Sequence, residues 1–189
     1  MKYNKKAEMG MGTLIIFIAM IIVAAIAAAV LISTTTSLQN KALETGTATR
    51  DEVGTALNVL ELYGVDGTTG SLDNLTAVVK LSAGSEPVRF SDLLISLSLD
   101  NASEDYTFEN NSADLNSSEF VVQYSINGSE HKDEFLSTGD VAKITFISPR
   151  GITESEDVVV GIIPKTGTPS NIDTQAPSLI LNQRTRIFP

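Results

Sequence analysis

The sequence predicts an α+β protein: one long apolar helix in the N-terminal part, followed by an antiparallel β-sandwich. Three observations predict it. Residues Leu14 to Ile32 are apolar without interruption. No charged residue occurs between Met9 and Asn40. From Leu75 onward, apolar residues recur with a period of two, the mark of half-buried strands.

The apolar run reads LIIFIAMIIVAAIAAAVLI, 19 residues. At about 1.5 Å per residue it makes a helix of roughly 28 Å, close to the ~30 Å hydrocarbon core of a bilayer. Apolar on all sides, such a helix belongs in lipid or inside a bundle of protein. The basic leader, with Lys2, Lys5 and Lys6, places the N-terminal side in the cytoplasm. A secretory signal has a shorter apolar region, about 7–15 residues, ending at a small-residue cleavage site. Hydropathy alone leaves a membrane anchor and an assembly helix equally open.

Ser33 to Tyr63 reads as a continuation of the helix. Leu38, Ala42, Val53, Leu57 and Leu60 fall near one helical stripe, and Gly64 is placed to end it. The predicted helix therefore covers 11–63, a turn-rich linker 64–74, and the β domain 75–189. Within that domain, Leu75, Ala77, Val79 and Leu81 alternate with other residues, as do Leu93, Ile95, Leu97 and Leu99. Phe120, Val122, Tyr124 and Ile126 form a third set, and Ala142, Ile144 and Phe146 a fourth. DVVVGIIP is a continuous apolar run, read as a strand buried on both faces, and LILNQRTRIF is read as a last strand. Seven or eight short strands are expected.

Composition narrows the function. A formal net charge of −10 excludes a phosphate-neutralising, nucleic-acid-binding surface. There is no cysteine, so neither disulfide nor thiolate chemistry is available. His131 lies in a polar stretch with no second histidine at ligand spacing, and reads as a solvated loop or strand-edge residue. No GxSxG, HExxH or P-loop string occurs, so no catalytic residue, metal ligand or cofactor is assigned. Carboxylates gather between Asp100 and Glu119 without EF-hand order, and read as a solvated acidic loop. Five Asn-x-Ser/Thr sequons, at Asn74, Asn101, Asn110, Asn116 and Asn127, are candidate N-glycosylation sites.

The junction before the helix separates the two readings of it. KKAEMG followed by MGTLIIFIAM resembles the precursors of archaellins, the filament proteins of the archaeal swimming organelle. The resemblance is dense over residues 1 to about 40, and weaker at LSTGDVAKITF and VVVGIIPKTGTP. It differs from bacterial type IV pilins, which resemble it in the glycine junction but usually carry phenylalanine and glutamate where Met11 and Ile15 stand here.

The resemblance implies an immunoglobulin-like sandwich and a prepilin-type peptidase that cuts between Gly10 and Met11, removing residues 1–10. It also implies an assembly machinery that moves the subunit from the membrane into an extracellular helical homopolymer. The filament core would be formed by Leu14, Ile15, Ile16, Phe17, Ile18 and Met20, and further along by Ile22, Val23, Ile26, Val30 and Leu31. An archaeal adhesion pilin and a membrane-tethered extracellular binding module are the alternatives.

Overall fold

The computed structural model describes residues 5–65, 70–110 and 117–188. Among the described residues there are one α-helix, a 3-10 turn at Phe90–Asp92 and eleven strands, and the chain divides into two compact units, 1–48 and 49–189.

Helix α1 runs Lys5–Gly54, 50 residues and about 75 Å at 1.5 Å per residue. Threonine, a weak helix former, is accommodated by turning its hydroxyl back onto the helix. Thr13 Oγ1 donates to the Gly10 carbonyl at 3.0 Å, Thr34 Oγ1 to Leu31 at 3.0 Å and Thr36 Oγ1 to Ile32 at 2.9 Å.

The helix ends nine residues before the predicted Tyr63. Strand β1, Leu57–Val65, occupies the rest of that stretch. The stripe misled for a physical reason. The register of β1 against its neighbour shifts between Val59 and Glu61, a bulge at Leu60. Leu57 and Leu62 both reach the core, with Val59 packed against it, so the inward spacing is two and then three. The predicted stripe instead counts Leu60, which sits at the bulge and is 40% exposed, with Leu57 and Val53 three and seven residues before it. Gly64 is not a helix terminator. A Cβ there would lie 2.6 Å from Leu72 Cδ1, so glycine is required by packing. The predicted linker contracts, because β2 already begins at Leu72. Its residues 66–69 lie outside the described residues.

The remaining strands are β2 Leu72–Leu81, β3 Val88–Arg89, β4 Leu93–Leu99, β5 Ala102–Phe108 and β6 Glu119–Ile126. They continue with β7 Phe135–Leu136, β8 Val141–Ile152, β9 Asp157–Pro164, β10 Ser170–Gln175 and β11 Arg184–Phe188. Two antiparallel layers result, β10-β9-β4-β5 and β6-β8-β2-β1-β11, with β3 and β7 as a separate pair. The layers join along one edge through a two-residue parallel contact, Thr107 opposite Glu119 and Phe108 opposite Phe120. At the other edge Thr174 Oγ1 of β10 donates to the Ile187 carbonyl of β11 at 3.1 Å.

One hydrophobic core fills the space between the layers. Leu75, Ala77, Val79, Ile95, Leu97 and Ile144 are all at most 1% exposed, as their alternation predicts. Tyr106 spans the layers. Its ring packs 4.9 Å from Phe146 and its hydroxyl donates to the Ile147 carbonyl at 2.6 Å. Burial pushes this phenol well above its ordinary value. Strand β9 corrects its prediction: Val158, Val160 and Ile162 point inward, while Val159 and Ile163 are exposed. Its apolar run is a one-sided strand with an apolar outer face.

Two buried carboxylates organise loops. Asp140 accepts from the backbone N–H of Gly128 at 2.6 Å and Ser137 at 3.0 Å, and faces His131 Nδ1 at 3.3 Å. His131 is therefore not a solvated loop residue. It is half-buried, edge-on to Tyr124 with ring centroids 4.4 Å apart. Glu156 accepts from Arg150 and from the Thr153 backbone and hydroxyl. Burial by itself would raise both carboxyls. The donors outweigh it and hold both below the usual carboxylate range.

A folded-state value below the unfolded one means stability present above the unfolded pKa and lost as the pH falls through the folded one. The β domain is therefore expected to lose stability progressively below about pH 4. Asp140→Asn, which leaves the donors poorly matched, is expected to cost about 1–3 kcal/mol at neutral pH and to flatten the acid limb. Denaturant titrations of the full chain in detergent, followed by tyrosine fluorescence at several pH values, check both.

Candidate functional site

The apolar half of α1 stands out as the working part among the described residues. Among the described residues no cluster of three His, Cys, Asp or Glu side chains could hold a metal. Within its own unit, α1 offers the opposite of a buried core element. Leu14 is 58% exposed, Phe17 62%, Ile22 54% and Leu31 66%. Ile15, Ile16, Ile18, Met20, Val23, Ile26 and Val30 are exposed too. All eleven residues predicted to form the filament core thus lie on an uncovered helix, around its whole circumference.

The surface of this cylinder is not uniform. Ile16, Ala19, Met20, Val23, Ala24 and Ala27 line one shallow groove. Their spacing of three and four residues puts them on one helical face. The alanines lower the floor of the groove and the longer side chains form its rim. A neighbouring apolar helix can approach such a face closely and gain dispersion contact, the interaction that still favours association where lipid has removed the hydrophobic one.

The candidate cleavage junction, Gly10 and Met11, lies inside the first part of α1. A side chain added at Gly10 or at Gly12 would meet nothing within 4 Å. A helix-interior glycine costs about 0.5–1 kcal/mol relative to alanine. Packing within the chain gives no reason for glycine at position 10, nor at Gly12, Gly46 or Gly54 of the same helix.

The sequons fall into distinct settings. Asn101 and Asn127 are exposed, the first in the turn between β4 and β5 and the second just after β6. Asn110 is exposed, and its Nδ2 donates to Glu134 Oε1 at 3.1 Å. Asn74 lies within β2, paired with Val65 on one side and Ile147 on the other. The Thr76 of its sequon is 5% exposed, with its hydroxyl 3.2 Å from that of Thr145. Asn116 lies outside the described residues, as does Asp114 of the acidic stretch.

Comparisons agree with this division into helix and β domain. The family model for archaeal-type flagellin matches residues 7–174. Flagellin B1 of Methanococcus voltae is 30% identical over 200 residues, covering 93% of this chain and 92% of the relative. Flagellin B1 of Thermoplasma volcanium is 41% identical over 113 residues, 57% of this chain and 46% of the relative. Among solved structures, the archaeal flagellum of Methanospirillum hungatei aligns with a TM-score of 0.72 at 19% identity, over 95% of this chain and 99% of that one. Flagellin FlaB1 of Methanocaldococcus jannaschii aligns with a TM-score of 0.63 at 18% identity, over 71% and 97%. With an uncovered apolar helix joined to a two-layered β domain, and the family match spanning most of its length, this chain is a member of the archaeal-type flagellin family.

Proposed function

We propose that the protein is the structural subunit of an archaeal swimming filament, polymerising through α1. The observation that carries this is the helix: it is apolar on all sides over Leu14–Ile32 and uncovered in its own unit. At about 25 cal/mol per Å² of apolar surface, a single side chain of this kind is worth about 1.5–3 kcal/mol when removed from water. A run of this length has to be covered. Lipid covers it before assembly, and copies of the same helix cover it afterwards. The protein belongs to a family of filament subunits and not of enzymes.

Maturation is the switch between the two coverings. A prepilin-type peptidase cuts between Gly10 and Met11, and removes Lys2, Lys5, Lys6 and Glu8 with the leader. The basic residues that tie the helix to the cytoplasmic face leave with it. An assembly machinery can then move the subunit outward, so that helices bundle along the filament axis and the β domains face the surroundings.

Three outcomes test this. Filaments sheared from cells are expected to begin at Met11 on N-terminal sequencing, and Gly10→Leu is expected to retain the leader and yield no filament. Intact Met1 in assembled filaments would sink the cleavage site.

Ala25→Asp places an unpaired carboxylate where helices pack. Breaking dry packing in this way costs several kcal/mol per subunit. One central charge in lipid costs about 2.5–3.5 kcal/mol on insertion scales. The expected result is cleaved subunits held in the membrane and no filament by electron microscopy. Normal filaments from that variant would refute the helix as the core.

Glycans are expected on the exposed Asn101 and Asn127, and not on Asn74 within its sheet. Peptide mapping of filaments by mass spectrometry reads this directly, and a bare Asn101 and Asn127 would count against it.

A further inference from the structure

The two layers of the β domain present outer faces of opposite charge. Strands β4, β5, β9 and β10 contain no lysine or arginine. On their outer face stand Asp105, Asp157 and Asp173, all exposed. The other layer is different. Lys80 of β2 and Lys143 of β8 point outward between inward-facing core residues, and neither has an ion-pair partner among the described residues. Arg184 and Arg186 of β11 share a single acid, Glu61, at 2.9 and 3.0 Å. Of the other charges in these strands, Arg150 is taken up by Glu156 and Asp73 lies at a bulge beside Gly151. Glu119 stands at the far edge. In a chain with 23 acidic and 13 basic side chains, a face with a basic surplus is unexpected.

Both faces are also more apolar than solvated sheet faces usually are. Val159 and Ile163 are 38% and 41% exposed on the acidic face. Leu94 lies directly across from Ile163. Between them the surface is low: Gly161 stands opposite Ser96, and a Cβ there would come within 2.6 Å of the Ser96 Oγ. On the basic face Val65, Val78, Val121 and Ile147 point outward and are half-exposed.

We propose that the basic outer face of one copy, β6-β8-β2-β1-β11, packs on the acidic outer face, β10-β9-β4-β5, of a second copy. Charge complementarity argues for a second copy, because Lys80 and Lys143 on one face and Asp105, Asp157 and Asp173 on the other have no ion-pair partner in their own chain among the described residues. The two faces lie on opposite sides of one core, so the contact is heterologous, the kind that builds an open helical polymer when its rotation does not close a ring. The helices would hold the axis and this contact would join the outer domains. The inference rests on the reading of the chain as a filament subunit.

The test uses the absence of native cysteine. Gln123 on the basic side and Ser98 on the acidic side are exposed, uncharged and outward-facing. In filaments of the Gln123→Cys, Ser98→Cys double variant, a short bis-maleimide linker is expected to give a ladder of dimers, trimers and longer chains on a denaturing gel. Each single variant should give monomer only. In parallel, Lys80→Glu with Lys143→Glu is expected to reduce filament yield at least tenfold, and adding Asp105→Lys with Asp173→Lys to restore it. Filaments without a ladder, a dimer from one cysteine alone, or full filament yield from the lysine reversals would overturn the pairing and leave the filament reading standing. If the unaltered chain forms no filament, both fall.

Discussion

The rest of this molecule is arranged around one solvation constraint. A helix apolar on every side cannot remain in water, and the chain's own compact β domain is already built around a core of its own. That core is filled by residues such as Leu75, Ile95, Phe120 and Ile144, all fully buried. The two sets of apolar residues are thus separate in sequence and in structure. The β domain is self-sufficient, whereas the helix must borrow its covering from lipid or from other copies. A protein in which the same residues served both purposes could not leave the membrane without unfolding.

On the proposed route from membrane to filament, the driving force for assembly would be packing and not hydrophobicity. Moving a leucine from lipid to a bundle of leucines changes its contact with water very little. What changes is the quality of the contact. The groove formed by Ile16, Ala19, Met20, Val23, Ala24 and Ala27 has a low floor and a firm rim, as close packing requires. Large and small residues are therefore segregated along the helix, although mean hydropathy would be served equally well by leucine at every position.

The apolar run and the strands β2, β4 and β8 are legible in the sequence because each rests on one repeated signal. Alternation is enough when one face of a strand is buried and the register is regular. It fails at β1, where the bulge breaks the period of two and the exposed Leu60 falls in helical spacing with Val53 and Leu57. It fails differently at β9, where Val159 and Ile163 keep an apolar run going on a face that the chain leaves exposed. The proposed cleavage junction is legible as a string of residues. The setting of His131 is not, because its partners Asp140 and Tyr124 come from a loop and a strand that only the fold brings together. The charge asymmetry of the two sheet faces was equally hidden, since a face is assembled from strands far apart in the chain.

The pairing of β1 with β11 sets a schedule for the making of the protein. Tyr63 meets Arg186 and Val65 meets Arg184 across more than a hundred residues, with the Arg184 guanidinium 3.8 Å over the Tyr63 ring. The strand nearest the helix in sequence is thus left without its outer neighbour until β11, more than a hundred residues further along the chain, has been synthesised. Contacts this distant in sequence form slowly, because a long loop must close before any of them rewards the closure. In the membrane-held precursor proposed above, α1 would anchor the chain before the β domain has finished folding.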